Sequence, residues 1–139
     1  MDMTHVLDAV ISGETPRADY SARLELPRPQ GWERGRVWAR WTVGPDYLTP
    51  WGAVFGGYIA AVADEFAGMA ALSVLEPGVR FGTSDLHICL MRALRPGVVE
   101  IDARVLSHGR SAVHVEVDFL RQDGSLAVRV SATQVLAHG

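Results

Sequence analysis

The chain has 139 residues, 48% of them apolar, a formal net charge of −3 and a single cysteine, Cys89. That length supports one hydrophobic core and is short for two ordinary domains, so residues 1–139 are expected to form one domain. The absence of any Lys/Arg run argues against a nucleic-acid partner. One cysteine excludes an internal disulfide framework and multi-cysteine zinc sites, which fits a reducing, cytoplasmic compartment.

The N-terminal stretch carries acids early and has no basic segment leading into a long apolar run, so it does not read as a signal peptide. Met3 to Ile11 is expected to make a short leading helix, and residues 16–35, rich in proline and mixed charge, an irregular connection. Arg36 to Val43 sets Val37, Ala39, Trp41 and Val43 against Arg36, Trp38, Arg40 and Thr42, the period-two alternation of a half-buried strand. The apolar stretch from Tyr47 to Ala63 is interrupted by Pro50, Gly52, Gly56 and Gly57 and ended by Asp64 and Glu65, which speaks against a membrane span. Tyr58 to Leu75, rich in Ala, Leu and Met, predicts a helix of about five turns, stopped by Pro77-Gly78. Four strand-like runs follow: Thr83 to Met91, Val99 to Val105, Ala112 to Leu120 and Leu126 to Val135. Asp123-Gly124 is a hairpin signal between the last two, and the sheet is expected to be an antiparallel meander with one buried and one wet face.

A helix apolar on nearly all sides must be covered on nearly all sides, by a curved sheet or by a partner subunit. Between Tyr47 and Leu75 its only charged side chains are Asp64 and Glu65. Adjacent helical residues point about 100° apart, so one carboxylate is expected to face a cleft and the other a rim or a partner. An unpaired carboxylate in such surroundings is costly and is kept chiefly where something uses it. A solvent notch or a dimer contact satisfied by arginine is the competing explanation.

The run from Trp51 through Phe55, Gly56, Gly57 and Tyr58 to Asp64 resembles the signature of the PaaI-like hotdog-fold thioesterases, in which a loop and a Gly-Gly pair open a helix that carries an acid seven residues after the second glycine. Thr83-Ser-Asp-Leu-His-Ile is similar to the strand after that helix, Ser107-His-Gly-Arg-Ser-Ala to the next turn, and Asp123-Gly-Ser-Leu-Ala-Val-Arg-Val-Ser-Ala-Thr to the last hairpin. The resemblance spans residues 36–137. It implies an α+β hotdog fold, an antiparallel sheet wrapped around one long helix, and an acyl-CoA or acyl-carrier-protein thioesterase with no cofactor. The protein would work as a homodimer or homotetramer, with its sites at subunit interfaces.

By this resemblance Asp64 is general base or nucleophile, the Gly57 N–H polarises the thioester carbonyl, and Thr83 contributes a hydroxyl from the opposite subunit. Thr49, Trp51, Phe55, Gly56, Tyr58 and Glu65 are expected around the substrate, and Arg110 near the coenzyme phosphates. Two positions depart from the family: Phe55 stands where many relatives have His, and Thr49 where many have Asn. A bulky or aromatic acyl group, or weaker hydrolysis, follows from those changes.

Cys89 reads as a small strand residue rather than a nucleophile. His87, His108 and His114 lie on separate elements and predict no metal site. A hotdog hydratase or dehydratase would need a histidine paired with the acid, and none lies between Trp51 and Leu75. A non-catalytic acyl-CoA binder is the remaining alternative.

Overall fold

The computed structural model describes residues 5–137. The strand expected over Arg36–Val43 is present with that span as β2, and Val37, Ala39, Trp41 and Val43 are all buried. The segment before it is more regular than its composition predicts. After α1 (Val6–Ser12), Asp19–Arg23 forms a short helix, α2, and Gly31–Glu33 pairs with β2 as a three-residue strand, β1. Position 31 requires glycine, because a Cβ there would sit 2.5 Å from the Trp38 ring across the hairpin.

The long helix, α3, runs Gly56–Leu72. It starts two residues earlier than the apolar run suggests and ends three residues earlier, because Ser73 caps it. The Ser73 hydroxyl donates to the Ala70 carbonyl (2.6 Å) and accepts from the Gly35 N–H (2.8 Å), which draws the last turn away from helical continuation. Ile59, Val62, Ala63, Phe66, Ala67, Ala70 and Ala71 are buried, and the alanines let strands approach the helix closely.

The remaining strands are β3 (Arg80–Leu90), β4 (Gly97–His108), β5 (Ala112–Leu120) and β6 (Leu126–Ala137). All pair antiparallel in the order β1-β2-β4-β5-β6-β3. Only β4-β5-β6 is a meander, which corrects the expectation of a simple meander throughout. The chain leaves β2 through α3, reaches the far edge as β3, then returns to lay β4 beside β2. The architecture is the helix-in-sheet arrangement of the hotdog fold. No helix among the described residues is long and apolar enough to cross a membrane.

As an end strand β3 departs from the one-face-buried rule, since most of its residues on both faces are exposed. It also carries a bulge between Thr83 and Asp85. The extra residue shifts the side-chain parity, so that Phe81 and Thr83 before it turn to the same side as Leu86 and Ile88 after it.

Candidate active site

Asp64 and Glu65 sit two turns into α3, facing β3 and the α2 segment. The bulge aims Thr83 at them, and its hydroxyl donates to Asp64 Oδ1 at 2.6 Å. Glu65 Oε1 accepts a 2.6 Å hydrogen bond from the Tyr20 hydroxyl on α2. Glu65 as hydrogen-bond acceptor, with partial burial, pushes the Tyr20 phenol up to about 12, so it stays a donor throughout the ordinary pH range.

Both carboxylates line one cavity of about 410 Å³. This corrects the expectation that adjacent helical acids must face different surroundings. The segment carrying Tyr20, Leu24 and Leu26 lies along the helix and closes the space between the two directions. Leu24, Leu26, Ala61, Met69, Leu72 and Phe81 make its apolar walls; Tyr20, Asp64, Glu65, Thr83 and Gln134 supply its polar groups. Asp64 is exposed in the single chain, not buried as its apolar neighbours in sequence imply. Within one chain Thr83 is its hydrogen-bond partner.

Thr49, Trp51, Phe55, Gly56 and Gly57 form a separate cluster at the N-terminus of α3. Thr49 Oγ1 accepts from the Trp51 N–H, Trp51 is 83% exposed, and Phe55 precedes the first helical turn without a side-chain cap. The helical ladder begins with the Tyr58 and Ile59 N–H groups on the Phe55 carbonyl. The Gly56 and Gly57 N–H groups precede it and have no carbonyl one turn behind them. A Cβ on Gly57 would meet the Phe55 ring at 2.9 Å, so glycine permits that close approach. Seven residues of helix separate Gly57 from Asp64, roughly 10 Å along the axis. Gly57 is accordingly not among the residues that line the Asp64 cavity.

Tyr58 points elsewhere. It is buried and stacked on Tyr47 (centroids 3.9 Å), and the carbonyls of Leu24 (2.7 Å) and Glu25 (2.9 Å) share its single hydroxyl proton. Burial, reinforced by Tyr47 and Glu25, pushes its phenol up to about 12. Glu25 holds a left-handed φ of 51°, an uncommon conformation for a side-chain-bearing residue, and the Tyr47 and Tyr58 hydroxyls tie it down. Tyr58 thus anchors the segment that walls the cavity instead of lining it. Arg110 lies in the β4–β5 turn, outside the cavity lining. His114 shares a hydrogen bond with Thr133 on the sheet, and no histidine among the described residues lines the cavity.

Sequence reasoning missed Tyr20, Leu24, Leu26 and Gln134. For Gln134 a signal existed: Val128, Val130, Ala132, Gln134 and Leu136 are the inward residues of β6, and one amide among aliphatics is conspicuous. The α2 segment gave none, because its contacts with α3 are long-range.

A single helix cupped by an antiparallel sheet, with an acid on the helix facing an apolar cavity, defines the hotdog class of acyl-thioester proteins. The family model of the thioesterase superfamily matches residues 52–128, more than half of the chain, and the chain belongs to that superfamily. Among curated proteins it is similar to one of Saccharolobus solfataricus named for esterase activity, 28% identical over 97 residues, 70% of this chain and 69% of the relative. Among solved structures it is similar to a phenylacetic acid degradation-related protein of Ralstonia eutropha JMP134, with TM-score 0.81, 24% identity, and 93% of this chain and 98% of that one covered. A conserved protein of Pseudomonas aeruginosa superposes with TM-score 0.78 and 26% identity over 87% of this chain and 95% of its own. A Streptococcus mutans UA159 protein bound to acetyl-CoA gives TM-score 0.73 and 24% identity, covering 78% and 86%.

Proposed function

We propose that the protein hydrolyses an acyl-CoA or acyl-carrier thioester to the free acid and thiol, with Asp64 as the reacting carboxylate. The observation that carries this reading is Asp64, oriented by Thr83, at an apolar-walled cavity of about 410 Å³ that can take an acyl group. Acetyl-CoA bound to the Streptococcus mutans protein of similar fold supports the coenzyme as carrier.

In the simplest course Asp64 removes a proton from water as the water oxygen bonds to the thioester carbon. The carbonyl oxygen takes up negative charge, and the unpartnered N–H of Gly57 at the positive end of α3 stabilises it. The C–S bond then breaks, the acid is released, and the thiolate recovers the proton held by Asp64. In the alternative course Asp64 attacks the thioester carbon, the C–S bond breaks and the thiolate leaves, and water cleaves the resulting mixed anhydride to the free acid and the Asp64 carboxylate, its released proton going to the thiolate.

Along one helix Gly57 and Asp64 stand roughly 10 Å apart, which is as far as contacts of about 3 Å to a carbonyl and to its attacking water can span. Two copies whose α3 helices run antiparallel would set Gly57 of each opposite Asp64 of the other. The unpaired outer edge of β3 and the exposed Trp51, Phe55, Leu90 and Met91 fit such a pairing. Among the described residues no histidine lines the cavity beside Asp64 to serve hydratase chemistry.

Thiol release from a panel of acyl-CoA esters tests the reading. Asp64→Asn should lose activity by orders of magnitude while Glu65→Gln, whose neighbour Tyr20 can still hydrogen-bond the amide, retains most of it. A native protein that binds CoA esters but releases no thiol would instead be an acyl-ligand binder.

A further inference from the structure

Gln134 is 1% exposed and lines the cavity from β6. Its Oε1 lies 3.1 Å from Thr83 Oγ1, and its Nε2 has no hydrogen-bond partner among the described residues. That assignment holds two defects. A hydroxyl has one proton, and Thr83 Oγ1 already has Asp64 Oδ1 at 2.6 Å, so two acceptors compete for it. An amide NH₂ is meanwhile left orphaned in the interior, which is rare and costly.

Carboxamide oxygen and nitrogen have nearly the same shape, so hydrogen bonding decides which way the group faces. Turning it over removes the competition and gives the amide nitrogen an acceptor. Nε2 then donates to Thr83 Oγ1, the Thr83 proton goes to the carboxylate alone, and the atom left over is a carbonyl, whose under-satisfaction is better tolerated than an N–H group's.

We propose that Gln134 is a positioning residue that acts through Thr83: its amide donates to the Thr83 hydroxyl, which commits the hydroxyl proton to Asp64 Oδ1 and leaves Asp64 Oδ2 to meet water or the thioester. The inference rests on the hydrolase reading of Asp64.

The test is the pH dependence of kcat and KM for thiol release by the native protein, Gln134→Met and Gln134→Glu, with a thermal melt of each. Gln134→Met keeps the shape without the donor, and kcat should fall about tenfold at unchanged KM, the worth of one hydrogen bond to a charged system. Gln134→Glu should approach native kcat at low pH, where the introduced carboxyl is protonated and donates to Thr83. It should lose activity as pH rises, because the ionised carboxylate only accepts and draws the Thr83 proton away from Asp64. The other ionisable groups of the cavity are Asp64 and Glu65 on α3 and Tyr20 on α2, and because a carboxylate at 134 also repels that of Asp64, Gln134→Met, which adds no charge, separates the lost donor from that repulsion.

A merely structural Gln134 would lower the melting temperature without producing that pH-dependent difference. A Gln134→Glu profile parallel to the native one, or native kcat in Gln134→Met, overturns the relay while leaving the hydrolase reading intact. If the native protein releases no thiol, the hydrolase reading is what fails. The relay is then decided by the side-chain amide NMR signals of Gln134, as it is if Gln134→Glu does not fold. In Thr83→Val one of its two protons should shift upfield under the relay, and two unmoved protons would overturn it.

Discussion

Thr83 donates to Asp64 at 2.6 Å only because β3 carries one extra residue between Thr83 and Asp85. Without the bulge, the parity that turns Leu86 and Ile88 inward would turn Thr83 to the opposite face, and the carboxylate would lose its orienting donor. Thr83→Val, which keeps the shape and removes the hydroxyl, should lower kcat about tenfold with little change in melting temperature, and Thr83→Ser should restore most of it. Steady-state thiol release with both variants checks this; native turnover in Thr83→Val would remove the hydroxyl from the mechanism.

The cavity wall contains a place where stability and specificity can be moved together. Gly68 lines it from mid-helix, and a Cβ there would lie 3.7 Å from the Phe81 ring, an ordinary contact. Gly68→Ala should therefore stabilise the fold by roughly 0.5–1 kcal/mol through helix propensity. The added methyl also narrows the cavity, so the longest or bulkiest acyl groups should lose turnover first. Thermal melts with an acyl-chain series read both effects, and an unchanged chain-length profile would place the acyl group elsewhere.

On the sheet face away from the helix, Asp118 accepts from Arg129 (2.8 and 2.9 Å) and Arg104 (3.1 Å). Burial alone would raise its carboxyl; the two guanidinium groups outweigh it and hold the carboxyl below the usual carboxylate range. A depressed folded-state value means that this stabilisation is fully present above the unfolded value of about 3.9 and is lost as pH falls through the folded one. Asp118→Asn should destabilise the fold by about 1–3 kcal/mol at neutral pH, and the gap to the native protein should close below about pH 4. Urea melts across that range test it, and a gap independent of pH would assign the loss to packing.

Regular alternation and one long apolar run were enough to read α3, β2 and the three strands β4 to β6, because each has a face fixed by burial. The resemblance added Gly57, Asp64 and Thr83 as candidates. Three things were not legible. The segment 19–26 has no period, and its role as a cavity wall comes from Tyr20 reaching Glu65 and Tyr58 reaching back to Leu24 and Glu25. The bulge leaves no mark in composition, since register is set by the partner strand. And the 100° rule separated Asp64 from Glu65 correctly as directions, but a cavity wide enough to span both directions reunites them.

The distance between Gly57 and Asp64 makes the assembly itself testable. Leu90, 57% exposed at the end of β3, lies against Gly56, where an added Cβ would approach it to 3.2 Å, so it couples the free sheet edge to the start of α3. A charge there should prevent a second copy from pairing along β3 while the core, to which Leu90 contributes little, stays folded. Leu90→Arg should sediment as a monomer, melt cooperatively near the native temperature and release thiol at least a hundredfold more slowly, since each carboxylate then lacks the opposing N–H. Sedimentation and turnover measured on the same sample decide it: a fully active monomer would mean that one chain completes the site, and a Leu90→Arg protein that stays dimeric would move the interface away from β3.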